Sequence, residues 1–213
     1  MDFLDSVIEQ YALEHSEVES TLLNELNRQT HIKVIQPRML SGHLQGRILS
    51  LLSQSIRPKT ILEIGTYTGY SALCMAEGLQ ENGQLYTIDN NKEIAPFANK
   101  YFNKSSYKNL IKMIVGNALD VIPDLNLKWD LVFIDADKEN YSNYFDAIIE
   151  NVNQGGMIIA DNVLWSGKVI KPTSKNDVET QALKSFNEKV HSDSRVSNVL
   201  MPVRDGMMIM IKK

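Results

Sequence analysis

The chain has 213 residues, a formal net charge of −4, 43% hydrophobic and 23% charged residues. The length suits one sizeable domain, and the composition is that of a soluble globular protein. The acidic balance argues against nucleic acid as a partner, because phosphate binding needs a basic face. With no apolar run of membrane-spanning length and a single cysteine, Cys74, which excludes an intrachain disulfide, we expect a cytoplasmic protein that does not enter a membrane.

Residues 1–56 are predicted to be helical. Apolar residues recur at helical spacing in three stretches, and Gln36-Pro37 separates the second from the third. The stretches carry Phe3, Leu4, Val7, Ile8 and Tyr11, then Val18, Leu22, Leu23 and Leu26, then Leu44, Ile48, Leu49 and Leu52. Pro58 is expected to end the third helix.

From residue 57 onward, short apolar runs alternate with amphipathic stretches. The predicted strands are Thr60–Ile64, Gln84–Ile88, Ile111–Val115, Leu131–Ile134, Met157–Ala160, Val196–Met201 and Met207–Ile211. The predicted helices are Gly69–Leu79, Glu93–Phe102, Ala118–Leu125, Tyr141–Val152 and Asp177–Val190. This alternation predicts an α/β fold with a Rossmann-like, doubly wound, seven-stranded sheet. The sheet is expected to be mostly parallel and to end in an antiparallel hairpin that turns at Val203–Gly206.

A glycine turn follows the first predicted strand. Gly65 and Gly69 lie in it, and the next helix begins with free N–H groups above the turn. A pyrophosphate site would carry a third glycine, whereas here an acid, Glu63, precedes the turn. A carboxylate there suits a ligand with a cationic ammonium group. Asp89 ends the second strand, where an acid accepts hydrogen bonds from ribose hydroxyls. The structural alternatives are a βα turn that merely needs a glycine and an acid that caps a helix.

Acidic and amide side chains follow the fourth and fifth predicted strands. Asp135, Asp137 and Lys138 come after the fourth strand, and Asp161 and Asn162 come after the fifth. Ligands of open α/β sheets gather at these strand ends, and hard oxygen donors suit Mg²⁺, Mn²⁺ or Ca²⁺. If the two strands are neighbours, the sequence predicts a metal site there, with Lys138 as a base. The alternative is that each acid caps the following helix and that Lys138 is a surface residue.

Six stretches carry a family resemblance: LEIGTYTGYS at Leu62–Ser71, YTIDN at Tyr86–Asn90, VGNAL at Val115–Leu119, VFIDADKENY at Val132–Tyr141, GGMIIADNVLWSGK at Gly155–Lys168 and PVRDGM at Pro202–Met207. In this order they resemble the metal-dependent class I O-methyltransferases, the group of caffeoyl-CoA and catechol O-methyltransferases and their bacterial relatives. The fourth and fifth stretches are the most specific. The resemblance implies one methyltransferase domain over residues 1–213, with a helical part at 1–56 and an α/β core at 57–213.

The resemblance also implies the cofactors and the site residues. The cofactors would be S-adenosylmethionine and a divalent cation, Mg²⁺ before Mn²⁺ or Ca²⁺. The metal ligands would be Asp135, Asp161 and Asn162. The catalytic residues would be Lys138, beside the reacting hydroxyl, and Asp135. The cofactor-binding residues would be Ser41, Glu63, Gly65, Thr66, Ser71, Asp89, Ala118, Asp135 and Asp137.

The implied reaction is metal-dependent transfer of a methyl group to one hydroxyl of a vicinal aromatic diol, of the catechol or caffeoyl type, by a homodimer. The segment Asp205-Gly206-Met207-Met208 lacks the acid that contacts the second hydroxyl in the animal catechol enzyme, which favours the caffeoyl-CoA-type and bacterial members. Trp165 either walls the substrate pocket or belongs to the core. His15, His31, His43 and His191 match no ligand spacing.

Three other functions remain open from the sequence. The same fold can methylate another acceptor, such as a hydroxamate or an RNA base. A nicotinamide-dependent oxidoreductase uses a similar sheet, although Glu63 and the missing third glycine argue against it. A binding protein that has lost its chemistry is the third, although it would have no need of Lys138 and the three predicted metal ligands.

Overall fold

The computed structural model describes residues 5–213. The helices are α1 Ser6–Glu14, α2 Thr21–Lys33, α3 Gly42–Ile56, α4 Tyr70–Ala76, α5 Ala95–Lys104, α6 Ala118–Leu125, α7 Tyr141–Ile149 and α8 Val178–Ser192. Short 3₁₀ segments occupy Pro37–Met39, Lys138–Asn140 and Trp165–Ile170. The strands are β1 Thr60–Ile64, β2 Gln84–Asp89, β3 Ile111–Val115, β4 Trp129–Ile134, β5 Val152–Ala160, β6 Val196–Met201 and β7 Met207–Lys212.

The seven strands form one mixed sheet in the order β3-β2-β1-β4-β5-β7-β6. The pairings β1–β2, β2–β3 and β4–β5 are parallel, whereas β5–β7 and β6–β7 are antiparallel. The predicted Rossmann-like fold with a C-terminal antiparallel hairpin is therefore confirmed. The chain divides into two compact units, residues 7–117 and residues 118–213 with Asp5 and Ser6; the prediction of one domain stays a prediction.

Helices α2, α3 and α4 pack together in the first unit. Gly46 of α3 allows this approach, because a Cβ there would lie 2.6 Å from a ring carbon of Tyr70 and 2.8 Å from the Cys74 sulfur. The buried Arg47 donates to both carboxylate oxygens of Glu77, from Nη1 at 3.0 Å and Nη2 at 2.8 Å. An apolar contact and a two-pronged ion pair therefore hold α3 against α4 and the residue that ends it.

The N-terminal apolar stretch lies on α1, apart from Phe3 and Leu4, which fall outside the described residues. Its remaining members are exposed: Val7 by 74%, Ile8 by 57% and Tyr11 by 63%. Their helical spacing is as expected, but the stripe is not buried within the chain. No helix within residues 5–213 combines the length and the apolar character that crossing a bilayer requires.

In the second unit, β5 lies between β4 and β7, and its last residues are fully buried. Ile134 of β4 is paired with Ala160 of β5, so the two parallel strands end side by side. The register shifts between Trp129 and Leu131, at the opposite end of the pair. Helices α7 and α8 pack through aromatic edges, with the Phe186 ring 5.5 Å from that of Tyr141. This unit places the candidate chemical residues at one sheet edge.

Candidate active site

In the first unit, the turn between β1 and α4 requires glycine at two positions. Gly65 has φ +102° and donates its N–H to the carbonyl of Ile88 at 2.9 Å. Gly69 has φ +88°, and a Cβ there would lie 2.5 Å from the Phe102 ring. The left-handed backbone and the close approach explain both glycines. The predicted glycine turn is therefore present at the carboxyl end of β1.

Glu63 is buried at the centre of a hydroxyl network. Its Oε1 accepts from the Ser71 hydroxyl at 2.5 Å, and its Oε2 accepts from the Thr87 hydroxyl at 2.5 Å. The Thr66 hydroxyl lies 2.5 Å from that of Thr87 and extends the network. Glu63 is 0% exposed, so it orients these hydroxyls and contributes its charge through them. The structure thus brings three predicted cofactor residues, Glu63, Thr66 and Ser71, into one network.

Asp89 lies half-buried at the end of β2. Its Oδ2 accepts from the backbone N–H of Tyr67 at 2.7 Å, which ties Asp89 to the glycine turn. Its Oδ1 accepts from the N–H of Asn91 at 2.9 Å. Each carboxylate oxygen keeps further acceptor capacity. Ser41, which precedes α3, is 7% exposed, and its hydroxyl does not cap that helix.

In the second unit, Asp135 and Asp161 are the first residues after Ile134 and Ala160, which are paired in register. The backbone N–H of Asp161 donates to the carbonyl of Ile134 at 3.0 Å, so the pairing continues to the strand ends. The condition on which the predicted metal site depends, that the fourth and fifth strands are neighbours, is met. Asp161 is buried and Asp135 is half-buried.

Lys138 is buried beside Asp135, so the alternative of a surface lysine is wrong. Its ammonium group, with a side chain 8% exposed, lies 3.0 Å from Oδ1 of Asp135. It also donates to the Tyr141 hydroxyl at 2.7 Å. The ion pair and the hydrogen bond fix the nitrogen in one place, as a group that exchanges a proton with a bound ligand requires.

Tyr141 also belongs to the candidate site, although the sequence predicted it only as the first residue of a helix. Its hydroxyl donates to the backbone carbonyl of Asp161 at 2.9 Å while accepting from Lys138. Burial raises the pKa of this phenol well above its usual value, and the charges of Asp135 and Asp161 add to the rise. Tyr141 therefore stays a neutral donor and connects the lysine to the end of β5. Its spacing of three residues from Lys138, one helical turn, is the sequence signal for this contact.

Three other residues of this unit are predicted to belong to the site. Asp137 is exposed and accepts from the Tyr144 hydroxyl and the Asn140 amide. Asn162 has φ +58°, a left-handed conformation that asparagine tolerates better than most residues. Ala118 is the first residue of α6 and is 7% exposed.

Trp165 lies over Lys138. The Lys138 nitrogen is 5.8 Å from the centre of the indole ring, and the Lys168 nitrogen is 5.7 Å from it. The ring is half-buried, and within residues 5–213 the indole Nε1 is a buried donor without a hydrogen-bond partner. The prediction that Trp165 either walls the substrate pocket or belongs to the core stays a prediction.

The donor set fits a hard divalent cation. Two carboxylates and one amide oxygen, from Asp135, Asp161 and Asn162, are oxygen donors of the kind that Mg²⁺ takes, and three protein ligands leave positions for other oxygens. Among the residues that the structure describes, no group of three or more His, Cys, Asp or Glu side chains is arranged to hold a metal. This absence is consistent with Asn162, an amide, as the third ligand in place of another acid.

The comparisons with known proteins concern the family of this chain. A family model described as O-methyltransferase matches residues 13–213. A caffeoyl-CoA O-methyltransferase from Stellaria longipes is 33% identical over 94% of this chain and 88% of its own length. A catechol O-methyltransferase from Niastella koreensis is 33% identical over 79% of this chain and 80% of its own. The crystal structure of an O-methyltransferase from Bacillus cereus in complex with SAH has a TM-score of 0.90 at 29% identity, over 97% of each chain.

The fold and the match over almost the whole chain define an enzyme that transfers a methyl group to oxygen. The chain belongs to the O-methyltransferase family. The prediction of an S-adenosylmethionine-dependent O-methyltransferase related to the caffeoyl-CoA and catechol enzymes is thereby confirmed at the level of the family. Membership argues against the oxidoreductase alternative.

Proposed function

We propose that this enzyme uses S-adenosylmethionine and a divalent cation to methylate one hydroxyl of a vicinal aromatic diol. The observation that carries the proposal is the buried Lys138, held between Asp135 and Tyr141 at the paired ends of β4 and β5. A purely structural edge of a sheet would have little reason to bury a lysine in an ion pair with an acid, because desolvating charges costs free energy.

The first unit is assigned the cofactor, which supplies an activated methyl group when bound. The Ser71 hydroxyl, oriented by Glu63, binds the methionine part, and the carboxylate attracts its ammonium group. Gly65 allows the ligand close to the backbone, and Asp89 accepts from the ribose hydroxyls. Ser41 and Thr66 complete the proposed cofactor residues of this unit, and Ala118, Asp135 and Asp137 are those proposed in the second unit.

The second unit is assigned the acceptor and the cation. Asp135, Asp161 and Asn162 hold the cation, which supplies Lewis-acid chemistry by lowering the pKa of the hydroxyl to be methylated. Lys138 Nζ receives or orients the proton of that hydroxyl. The bonds to Asp135 and Tyr141 occupy two of the three directions around the lysine nitrogen and leave one for the substrate oxygen.

Asp161→Ala tests the metal ligand. Turnover of S-adenosylmethionine with caffeic acid or caffeoyl-CoA is measured after chelation, with and without Mg²⁺, for the unmodified enzyme and for this variant. We expect turnover only with Mg²⁺ in the unmodified enzyme, and none in Asp161→Ala. Asp124→Ala, at an exposed acid of α6, is the matched control and should be as active as the unmodified enzyme.

Two results would contradict the proposal. Turnover that persists in chelator excludes the metal role. Binding of S-adenosylhomocysteine without turnover of either diol keeps the cofactor assignment and moves the acceptor to another class, such as a hydroxamate. We further propose a cytoplasmic homodimer, supported by the single buried cysteine and by the exposed apolar stripe of α1.

A further inference from the structure

We propose that Asp205 is a positioning residue that fixes the loop after β5 and, through this loop, the placement of Trp165 over Lys138. The loop is defined as residues 162–170. The inference rests on the proposed function in one respect: Lys138 is taken as the residue beside the acceptor hydroxyl.

The loop has a backbone that side chains disfavour. Trp165 has φ +47°, Ser166 has φ +52°, and Asn162 before them has φ +58°. A left-handed conformation is disfavoured for a residue with a Cβ, because the Cβ comes too close to the following carbonyl oxygen. Glycine is absent from these three positions and occurs only at Gly167, with φ +72°. Besides the hydrogen bonds within the loop, such as that from the Trp165 N–H to the Asn162 carbonyl at 3.1 Å, contacts from outside therefore hold it in this shape.

The β6–β7 turn supplies these contacts. The backbone N–H of Ser166 donates to Oδ1 of Asp205, and the N–H of Leu164 donates to the Asp205 carbonyl at 2.9 Å. The N–H of Val163 donates to the Gly206 carbonyl at 3.1 Å. Only the first of the three bonds uses a side chain, so it is the one that residue choice at position 205 controls.

The approach of the two segments depends on Gly206. A Cβ at Gly206 would lie 2.5 Å from Cγ of Leu164, and its φ of +87° disfavours other residues as well. The turn is thus shaped to sit against the loop. Burial raises the pKa of Asp205, and the Ser166 N–H and the Lys138 charge oppose the rise. Asp205 thus lies in a partly buried position that disfavours its charge. This indicates that its carboxylate makes a specific hydrogen bond and is not simply a solvated acid in a turn.

The consequence appears at Lys138. Trp165 directly precedes Ser166, so the bond from Ser166 to Asp205 fixes the backbone that carries the indole ring. The rings of Trp165 and Tyr141 have their centres 5.8 Å and 4.8 Å from the Lys138 nitrogen. Without the Asp205 bond the loop can relax, and the indole leaves its place over the lysine. The acceptor then loses an aromatic wall, while the bonds from Lys138 to Asp135 and Tyr141 remain.

Fluorine NMR of protein labelled with 5-fluorotryptophan tests the inference directly. The chain has two tryptophans, Trp165 and the buried Trp129 of β4, and Trp165→Phe assigns their resonances. Asp205→Ala should move the Trp165 resonance and leave that of Trp129 in place. The KM for the acceptor should rise about tenfold while kcat falls less than about threefold, because binding is lost and the proton-accepting group is kept. The KM for S-adenosylmethionine should not change.

The conservative variant separates bond from charge. Asp205→Asn keeps an oxygen that accepts from the Ser166 N–H, so it should restore both the Trp165 resonance and the acceptor KM. An Asn variant as impaired as the Ala variant overturns the proposal, and so does an Ala variant with an unmoved Trp165 resonance. If the unmodified enzyme shows no turnover, the proposed function fails, but the fluorine spectra still decide the role of Asp205.

Ser166→Gly provides a second test of the bond between Ser166 and Asp205. Glycine adopts a positive φ without the Cβ penalty, so a loop with Gly at position 166 depends less on the Asp205 bond. In that background, Asp205→Ala should displace the Trp165 resonance less, and raise the acceptor KM less, than it does alone. Equal effects in both backgrounds would overturn the inference.

Discussion

A single hydroxyl, that of Tyr141, joins the lysine of the candidate site to the end of β5. It accepts from Lys138 and donates to the carbonyl of Asp161. It therefore contacts one residue close to it in sequence and one residue that follows the neighbouring strand. The sequence predicted the acids, because residues that follow buried parallel strands must meet at one edge. It could not predict the hydrogen bond to Asp161, because that bond depends on the direction in which the Tyr141 side chain points toward a backbone carbonyl 20 residues along the chain.

Tyr141→Phe should lower turnover and leave the fold intact. The phenyl ring keeps its packing against Phe186, but Lys138 loses one acceptor, and the loss of such an orienting partner costs about 10- to 100-fold in activity. Initial rates at saturating S-adenosylmethionine measure the effect, with Tyr107→Phe as a control far along the chain. A variant within about twofold of the unmodified rate would show that Asp135 alone orients the lysine.

Cys74 provides a test of packing at the level of one side chain. It is 0% exposed, and burial raises the pKa of its thiol to about 12, against the opposing effect of Arg47. Only the thiolate reacts readily. We therefore expect no modification of the native enzyme by a thiol reagent near neutral pH, and one modified cysteine per chain after unfolding. Fast labelling of the native form would mean that α3 and α4 separate easily.

At the scale of the elements, apolar periodicity placed most strands well and some helix ends poorly. The predicted limits of β1, β3 and β6 agree with the structure. However, α7 ends at Ile149, and β5 begins at Val152 and not at Met157. The intervening residues include Gly155 and Gly156 and carry no strand pattern. They extend β5 because Trp129 of β4 pairs with Val152, and backbone pairing needs no particular side chain.

The junction of α8 and β6 gives a prediction about pH. Arg195 holds the pKa of Asp193 at about 2, below its usual value of 3.8. A lowered carboxyl pKa stabilises the fold above the unfolded value, and this contribution is lost as pH falls from about 4 to about 2. Because the Arg195 side chain is 38% exposed, water screens the ion pair, and we expect it to contribute about 1 kcal/mol to the free energy of unfolding.

Urea unfolding of Asp193→Asn measures this contribution. The variant should be less stable than the unmodified protein near neutral pH, and the difference in the free energy of unfolding should vanish as pH falls below about 2, where the Asp193 carboxyl is protonated in the folded protein as well. Asp146→Asn removes a more exposed partner, that of Lys189, and is the matched control. A difference that is independent of pH would assign the effect to the backbone bonds at Asp193 and not to the ion pair.

For the whole molecule, the exposed stripe on α1 concerns the number of chains. Ile8 and Tyr11 are more than half exposed, and apolar side chains grouped on one helix face often mark an interface. The sequence pattern identified the helix but not what covers the stripe, because helical spacing is the same whether the partner is the same chain or another. The homodimer therefore stays a proposal.

Ile8→Asp tests the homodimer. A charge buried at a contact between subunits is costly, so the molar mass in light scattering should fall from twice the chain mass of 24.1 kDa to the chain mass. Val178→Asp, on an exposed valine at the start of α8, should leave the mass unchanged. An unmodified protein that is already monomeric at micromolar concentration would refute the homodimer.

The shifted register between Trp129 and Leu131 gives the β4–β5 pair two unequal ends. Near Gly155, whose Cβ position faces open space, the chain can gain or lose a residue and absorb the change before the register becomes regular. Past Leu131 a single insertion would turn every following side chain to the other face of the sheet, and Asp135 with them. We therefore expect the pair to tolerate a change of length at one end only, and the chemistry to change by substitution at the other.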